Sequence, residues 1–401
     1  MPIKNRMMPG IALVGATLAL PALAYDFEQI SINGFGSIIA AQTMDNDETL
    51  YGQDNDLSFQ DESRFALQVA APIGEKFSAT AQILARGEDD FDPAFEWAYL
   101  SYQATDSLIV MAGRQRFNLY KYSDYVDVGY AYHWIRPPQG VYSVPFSSGN
   151  GLGFLYNTAL GDVDFNFTYK FIGEEISDYV PSGTTGVEPA NFKTTMSHLF
   201  NFDFTWNDLN FGANYGLVPE LSYEAQAFDS LDAVLRNPAS AGLPSTALTD
   251  AEADAVMAKV RSDDETVNFF GTYIGYDPGA WFVLAEYTYY EFDEANAFSD
   301  QESLYVSAGV RIDQFTVHAT YGMDQNDPSS DVYKTVADPY LQALVKSAVS
   351  QQEEDSETYS LGVRWEVESG IALKADYTTY SDDLDKTADA DLISAGIDFV
   401  F

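Results

Sequence analysis

Residues 359–379 read YSLGVRWEVESGIALKADYTT, and this stretch carries the pattern that decides the fold. Apolar and aromatic residues alternate with polar ones through 359–367 and again through 371–377. Because successive side chains of a β-strand point to opposite faces, each half predicts a strand with one apolar and one polar face. The intervening 368–370 ends in Gly, which is typical of a tight turn. The stretch therefore predicts two antiparallel strands joined by a short turn.

The same period of two recurs along the chain and predicts about sixteen strands, whose connections are alternately short and long. Turn-forming residues occupy short connections such as 161–162 and 207–208, whereas 117–150 and 219–265 are long. Short periplasmic turns that alternate with long external loops are the arrangement of outer-membrane barrels. We therefore predict an all-β fold, a transmembrane antiparallel β-barrel. The expected strands lie near 29–42, 63–71, 76–86, 94–103, 107–116, 151–160, 163–172, 197–206, 209–218, 266–276, 280–292, 302–311, 315–323, 356–367, 371–380 and 390–401.

A soluble β-sandwich is the main alternative, because its strands also alternate. The apolar face of a sandwich is a core, rich in Val, Ile and Leu. Here aromatic residues lie near strand ends instead, among them Tyr169, Phe171, Trp206 and Trp281. Such positions suit the aromatic girdles that flank the apolar band of a membrane barrel.

Charge and composition exclude several classes of function. The net charge of −41 argues against nucleic acid as a partner, because phosphate binding needs a basic face. The chain has no cysteine, which excludes thiol catalysis and thiolate metal sites. No stretch after residue 24 has 18 consecutive apolar residues, so no transmembrane helix is predicted.

The first 24 residues predict a secretory signal peptide rather than part of the fold. Lys4 and Arg6 are positive, 11–20 is apolar but too short to span a bilayer, and Ala22-Leu23-Ala24 is a cleavage pattern. The mature chain is therefore expected to comprise 25–401 and to act in the outer membrane.

The chain end, 394–401, reads SAGIDFVF. It looks like the terminal signal by which the barrel-assembly machinery recognises its substrates. Phe401 and Phe399 share one face of the expected last strand, and Gly396 permits close approach of a neighbouring backbone. We therefore assign Gly396, Phe399 and Phe401 to this signal.

The long connection 117–150 is unusually aromatic for a surface loop. It contains Tyr120, Tyr122, Tyr125, Tyr130, Tyr132 and Trp134. Aromatic side chains are seldom left fully in water, so a loop of this length is expected to fold into the barrel and narrow it. Saccharides also bind along aromatic faces, so these tyrosines leave a substrate-selective channel open as an alternative.

Basic residues are scarce, yet several are expected on the inner wall. Arg64 and Arg86 alternate against apolar neighbours, which predicts that they point inward. Arg114 and Arg116 point inward only if Leu108, Val110 and Ala112, which share their face of the strand, also face the lumen.

The whole mature chain resembles the general, non-specific porin family of Gram-negative bacteria. The resemblance rests on the terminal Phe, on about sixteen alternating strands, and on the long loop after the fifth strand. It implies a homotrimer in contact with outer-membrane lipids and lipopolysaccharide, each subunit passing small hydrophilic solutes by diffusion. Small residues at 34–41, namely Gly34, Gly36, Ser37, Ala40 and Ala41, would suit the contact between subunits.

In that family the inward loop presents acids opposite a ladder of arginines at the pore constriction. By position, the resemblance assigns Asp124 and Asp127 as the acids. It assigns as the ladder Arg64, Arg86, Arg114 and Arg116. One departure is that 117–150 lacks the Pro-Glu-Phe-Gly-Gly segment of the best-known members and is richer in Tyr.

Three other classes of protein are alternatives to a general porin. A saccharide- or anion-selective channel is the first alternative. A hydrolase needs a Ser–His pair oriented by a third polar group. His198 alternates with the apolar residues, His133 lies in the aromatic loop, and His318 has no serine motif nearby, so no enzyme is predicted. A transporter with an N-terminal plug is excluded because strands begin soon after residue 25. The acidic loop 43–56 has no Gly at the position where a calcium loop would turn, so neither metal nor cofactor is predicted.

Two long connections are expected to carry helices. Thr249 and Glu252 form a capping-box pattern, and Asp338-Pro339 provides an N-cap followed by a first-turn proline.

Overall fold

The computed structural model describes residues 30–46, 48–144, 146–179 and 190–401. Within them, sixteen antiparallel strands close into one barrel, with each strand hydrogen-bonded to the next and the first to the last. The predicted fold class is thereby confirmed, while the expected signal peptide, 1–24, lies outside the described residues. The strands are β1 (Ser31–Thr43), β2 (Arg64–Ile73), β3 (Phe77–Arg86), β4 (Pro93–Thr105), β5 (Leu108–Arg116), β6 (Ser148–Leu160), β7 (Val163–Tyr179), β8 (Ala190–Trp206), β9 (Leu209–Ala225), β10 (Ser262–Tyr276), β11 (Trp281–Phe292), β12 (Ser299–Ile312), β13 (Phe315–Pro328), β14 (Glu354–Glu368), β15 (Ile371–Asp382) and β16 (Ala390–Val400).

Every expected strand is present, and β7, β8 and β9 are longer than predicted. β7 continues to 179 instead of 172, β8 begins at 190 instead of 197, and β9 continues to 225 instead of 218. All three extensions are at the end of the barrel that carries the long connections. About 9–11 tilted residues suffice to cross a bilayer, so these extensions rise beyond it. Their polar residues, such as Glu174 and Lys193, need not alternate with apolar ones there, which is why the sequence pattern gave no sign of them.

The apolar face of the sheet points outward, as β14 shows. Tyr359, Leu361 and Trp365 are exposed on the outer surface of the chain, whereas Arg364 faces the lumen and contacts residues of an inward loop. This is the inverse of a soluble protein and suits a lipid environment. Among the described residues, no helix has the length and apolar character needed to cross a membrane.

In the described part of the chain, three α-helices lie in the long connections: α1 (Gln226–Arg236), α2 (Asp250–Met257) and α3 (Pro339–Val349). The Thr249–Glu252 capping box and the Asp338 N-cap are both present, so the two predicted helices are confirmed. The sequence did not predict α1, because no side chain caps its N-terminus. Buried apolar residues of the three helices, including Leu235, Val256 and Val345, form a separate hydrophobic cluster.

The seam between β1 and β16 is packed by the terminal aromatic rings. A Cβ on Gly34 would overlap the ring of Phe401, and a Cβ on Gly36 would overlap that of Phe399. The backbones of Gly34 and Phe401 exchange hydrogen bonds of 2.9 and 3.0 Å. A Cβ on Gly396 would likewise meet Ile39, as its predicted role in close approach requires.

The prediction that the small residues of 34–41 form one contact surface is wrong at two positions. Ser37 donates to the buried Asp398 carboxylate, and Ala41 is buried against Leu50, so both lie inside the barrel. The strand alternates, and only one of its faces can be presented to another subunit.

Removal of Phe401 should lower the amount of folded barrel in the outer membrane, and Gly34→Leu should do the same by displacing the ring of Phe401. The folded fraction is measured as the species whose mobility in a detergent gel changes on boiling, because a closed sheet resists detergent. Gly322→Ala is the matched control, since its new Cβ would meet only ordinary contacts at 3.6 Å or more. Wild-type levels of folded Phe401-truncated protein would contradict the prediction.

Candidate pore constriction

The connection between β5 and β6 folds into the lumen. It comprises residues 117–147, three fewer than expected, because β6 already begins at Ser148. Its backbone and side chains bond to strands around the barrel. The Lys121 amide donates to Glu286 of β11 at 2.7 Å, and the Trp134 indole donates to Thr320 of β13 at 2.8 Å. We call this segment, 117–147, the inner loop.

The inner loop has an aromatic core of its own. The ring of Tyr122 lies 5.4 Å from Tyr125, 5.8 Å from Trp134 and 6.1 Å from Tyr132, in edge-to-face arrangements. Such pairs contribute about 0.5–1.5 kcal/mol beyond the burial of their area. Tyr142 completes the group and donates its hydroxyl to Glu286 at 2.8 Å. The aromatic richness of the sequence is thus used mainly to pack the loop.

An ion cluster fixes the inner loop to the wall on the side of β2, β3 and β5. Arg64 donates to the Asp127 carboxylate at 3.2 Å, Arg86 donates at 2.9 Å, and Arg116 pairs with the same group. Glu96 lies 3.0 Å from Arg86 and 3.3 Å from Arg116. Three guanidinium groups therefore face two buried carboxylates, and the more exposed Glu88 lies 3.9 Å from Arg86. We call the three arginines, Asp127 and Glu96 the arginine cluster.

The charge of Asp127 follows from its surroundings. Burial alone raises the pKa of this carboxyl, but attraction to Arg86, Arg116 and Arg64 outweighs burial and holds the pKa well below its usual range. Asp127 is therefore a permanent anion at physiological pH. Buried charges of this kind are tolerated only where opposite charges and hydrogen bonds compensate for lost hydration.

The structure brings together Arg64, Arg86, Arg116 and Asp127, but it places Asp124 elsewhere. Asp124 pairs with Lys170 of β7 at 3.3 Å, and its side chain is 58 % exposed. The two acids predicted for one cluster therefore point to different parts of the wall.

The expected position of Arg114 is also corrected. Its guanidinium binds Glu174 at 2.8 Å and the Phe95 carbonyl at 2.7 Å, and it does not reach Asp127. Through regular β5–β6 pairing it shares a face with Leu152 and Tyr156, whose exposed side chains mark the outer surface. The condition on which its inward position depended, that Leu108, Val110 and Ala112 face the lumen, is not met. Arg116, the last residue of β5, reaches Asp127 nevertheless, although regular alternation would place it on the same face as Arg114.

Two acidic wall residues of the site were missed from the sequence. Glu96 lies where the pairing of β3 with β4 shifts by one residue, so alternation could not show its direction. Glu286 gave a weak signal, as one of two acids, with Glu291, among the apolar and aromatic residues of β11. A search for isolated charges in apolar strands could have found it.

The inner loop separates two larger spaces in the lumen. A cavity of about 500 Å³ lies toward the long connections, lined by residues that include Tyr51, Asp324 and Glu354. A cavity of about 540 Å³ lies toward the short turns, lined by Asp277 and Asp313 among others. A smaller space of about 170 Å³ adjoins Arg64, Arg86 and Glu62.

A sequence profile described as Gram-negative porin matches residues 11–401. The chain belongs to the Gram-negative porin family. As a porin with a closed sixteen-stranded barrel, it is located in the outer membrane. No curated protein has a sequence that matches it significantly.

Solved structures share the fold of this porin at low sequence identity. OmpF of Salmonella typhi, in a complex with daunomycin, is 11 % identical with a TM-score of 0.55, covering 93 % of this chain and 97 % of that chain. An anion-selective porin from Comamonas acidovorans is 11 % identical with a TM-score of 0.54, covering 93 % and 99 %. A loop-deletion mutant of OmpT, an outer membrane protein of Vibrio cholerae, is 14 % identical with a TM-score of 0.54, covering 93 % and 100 %.

Asp127→Asn should destabilise the porin by about 3–5 kcal/mol, because it leaves buried guanidinium groups without their shared anion. Asp124→Asn is the matched control and should cost less, since Asp124 is itself 58 % exposed and its buried partner Lys170 also donates to the Arg116 carbonyl. The measurement is the temperature at which half the protein converts to the unfolded gel mobility.

The pH dependence of the destabilisation by Asp127→Asn provides a second test. A carboxyl whose pKa is lowered in the folded state contributes stability that is present above its unfolded pKa and is lost only as the pH falls through the folded value. The difference between wild type and Asp127→Asn should therefore persist from pH 7 to about pH 4. Its disappearance near pH 6 would contradict the ion cluster.

Proposed function

We propose that this porin is a water-filled channel for passive diffusion of small hydrophilic solutes and ions, with its constriction at the inner loop. The arginine cluster carries this proposal. It fixes a charged loop inside the barrel, between a cavity on the side of the long connections and one on the side of the short turns. A solute that crosses the barrel must pass this loop.

The charges at the constriction would sort solutes by polarity. Asp127 and its arginines stand close together where water is confined and screening by salt is weak, so they create a strong local field. Such a field orients polar solutes and disfavours apolar ones, because apolar solutes cannot replace the interactions of the water that they displace. The cluster would therefore control conductance more than overall ion preference.

The external entrance favours cations. Segment 219–265 has ten acids against three bases. The cavity on the same side is lined by three carboxylates, Asp324, Glu354 and Asp376, against the single base Arg136. Such a mouth concentrates cations within a Debye length, about 8 Å at physiological salt. We infer a weak preference for cations over anions.

A saccharide-selective channel is the second candidate, and one observation favours it. Tyr51, Trp134, Tyr290 and Tyr380 line the external cavity together with hydroxyl and amide groups. Aromatic faces beside hydrogen-bonding groups are typical of sugar sites. Swelling of liposomes in sugars of graded size separates the two, because a selective channel saturates whereas a general pore only sieves.

We propose no catalytic role. A ring nitrogen of His133 lies 2.9 Å from the Ser307 hydroxyl, a distance suited to activating a nucleophile. Ser307 is completely buried, however, so no substrate carbonyl could reach it.

We also propose a homotrimer, in contact with lipids and lipopolysaccharide and inserted by the barrel-assembly machinery. A structure of OmpT from Vibrio cholerae is described as a trimer form and covers 93 % of this chain at 12 % identity with a TM-score of 0.51. Sedimentation in mild detergent should show three copies of the chain, and a monomer as the only species would contradict this.

Replacement of Arg64 and Arg86 by Gln should raise cation selectivity and increase the single-channel current by about twofold, because it removes positive charge from the constriction. The measurement is planar-bilayer conductance, with the reversal potential under a salt gradient. Asp127→Asn should shift selectivity toward anions. Arg114→Gln is the matched control, since this arginine lies outside the arginine cluster and should have little effect.

Comparison of the Arg64 and Arg86 variants with Arg114→Gln tests whether the constriction lies at the inner loop. If the Arg64 and Arg86 variants fold normally and behave like Arg114→Gln, the inner loop does not control permeation.

A further inference from the structure

The last strand carries a buried carboxylate on its inner face. Phe399 and Phe401 lie against the glycines of β1 on the outer side, while Asp398, the residue before Phe399, points inward and is 1 % exposed. Asp398 accepts a 2.5 Å hydrogen bond from Ser37 of β1 and forms a 2.8 Å ion pair with Lys374 of β15. One carboxylate therefore joins the strands on both sides of β16, at the seam where the barrel closes.

Lys374 extends this contact to the inner loop. Its ammonium donates to the backbone carbonyls of Gly129 and Trp134, each at 2.6 Å, and its side chain is completely buried. An ammonium group has three N–H donors. Two of them bind the inner loop, and Asp398 Oδ2 lies 2.8 Å from the ammonium as its ion-pair partner.

The inner loop fits this place only because residue 129 is Gly. A Cβ there would overlap the Asp398 carboxylate and lie 2.8 Å from the Ser37 hydroxyl. The loop backbone thus lies directly on the polar group that links β1 to β16.

Neighbouring strands hold the adjacent backbone in the same way. Arg364 of β14 donates to the carbonyls of Tyr130 and Tyr132 at 2.6 and 2.8 Å. Asp376 of β15 accepts from the Ile135 amide at 2.7 Å. The loop therefore has a second attachment, separate from the arginine cluster and made to its backbone rather than to its side chains.

We propose that Lys374 and Asp398 are positioning residues of the constriction, which attach the inner loop to the closing seam of the barrel. Their contacts require β1, β15 and β16 to be paired, so the loop reaches its final position only after closure. The strand whose outer face carries the terminal signal thus also sets the width of the pore through its inner face. This inference rests on the proposed role of the inner loop in permeation.

The test compares two variants that loosen this attachment in different ways. Gly129→Ala leaves the wall intact but blocks the close approach of the loop. The double variant Lys374→Met with Asp398→Asn removes both charges together, so neither remains buried and uncompensated. Each should raise mean single-channel conductance by about twofold and increase open-channel noise, because the loop no longer keeps one position.

Two controls separate this effect from a general change in the barrel. Gly322→Ala adds a methyl group to the inner wall without a close contact, and Lys193→Met removes an exposed lysine from β8. Both should match wild type in conductance and noise. Heat-modifiable mobility confirms folding of every variant, and unchanged currents in both loosened variants would show that the attachment does not set the width of the pore.

A spin label distinguishes failure of this inference from failure of the proposed function. The chain has no cysteine, so Asp124→Cys gives a single labelling position in the inner loop. Label mobility should rise in Gly129→Ala and in the double variant but not in the controls. A rise in label mobility without a change in conductance would support the attachment but show that the loop is not the constriction. An unchanged label in both variants would reject the attachment itself.

Discussion

Every backbone N–H and C=O inside a bilayer must find a partner within the protein, because hydrocarbon offers none. The sixteen strands meet this requirement by closing β1 onto β16, and the other features follow from it. Closure sends alternate side chains toward lipid and lumen, so polar and charged groups line much of the interior, beside the apolar clusters on which the inner loop packs. It also leaves a seam, where the rings of Phe399 and Phe401 occupy the space over Gly36 and Gly34.

A polar interior raises the question of what compensates the charges that line it. Arg64, Arg86 and Arg116 stand close together on the wall and would repel one another. The inner loop supplies Asp127, β4 supplies Glu96, and Glu88 lies 3.9 Å from Arg86, so three carboxylates stand against the three guanidinium groups. Electrostatic compensation on one side and backbone hydrogen bonds on the other hold the loop across the lumen. The same contacts that stabilise the loop thus define the proposed path for solutes.

The sequence predicted what depends on local pattern and missed what depends on three-dimensional pairing. Strand order and the capped helices followed from alternation and from Thr249 and Asp338. Alternation could not show the register shift beside Glu96, nor that Asp127 rather than Asp124 meets the arginines, because both acids lie in irregular backbone. Arg114 was misplaced because β5 is apolar on both faces, which leaves its direction undetermined until its partners in β6 are known.

Hydrogen exchange of the inner loop tests this account most directly. The amides of Lys121 and Ile135 are bonded to carboxylates of the wall, and the surrounding aromatic side chains are buried. Peptides that cover 117–136 should therefore exchange as slowly as strand peptides and much more slowly than the exposed connection 383–389. Exchange of 117–136 as fast as that of 383–389 in the folded barrel would contradict a docked loop and with it the proposed constriction.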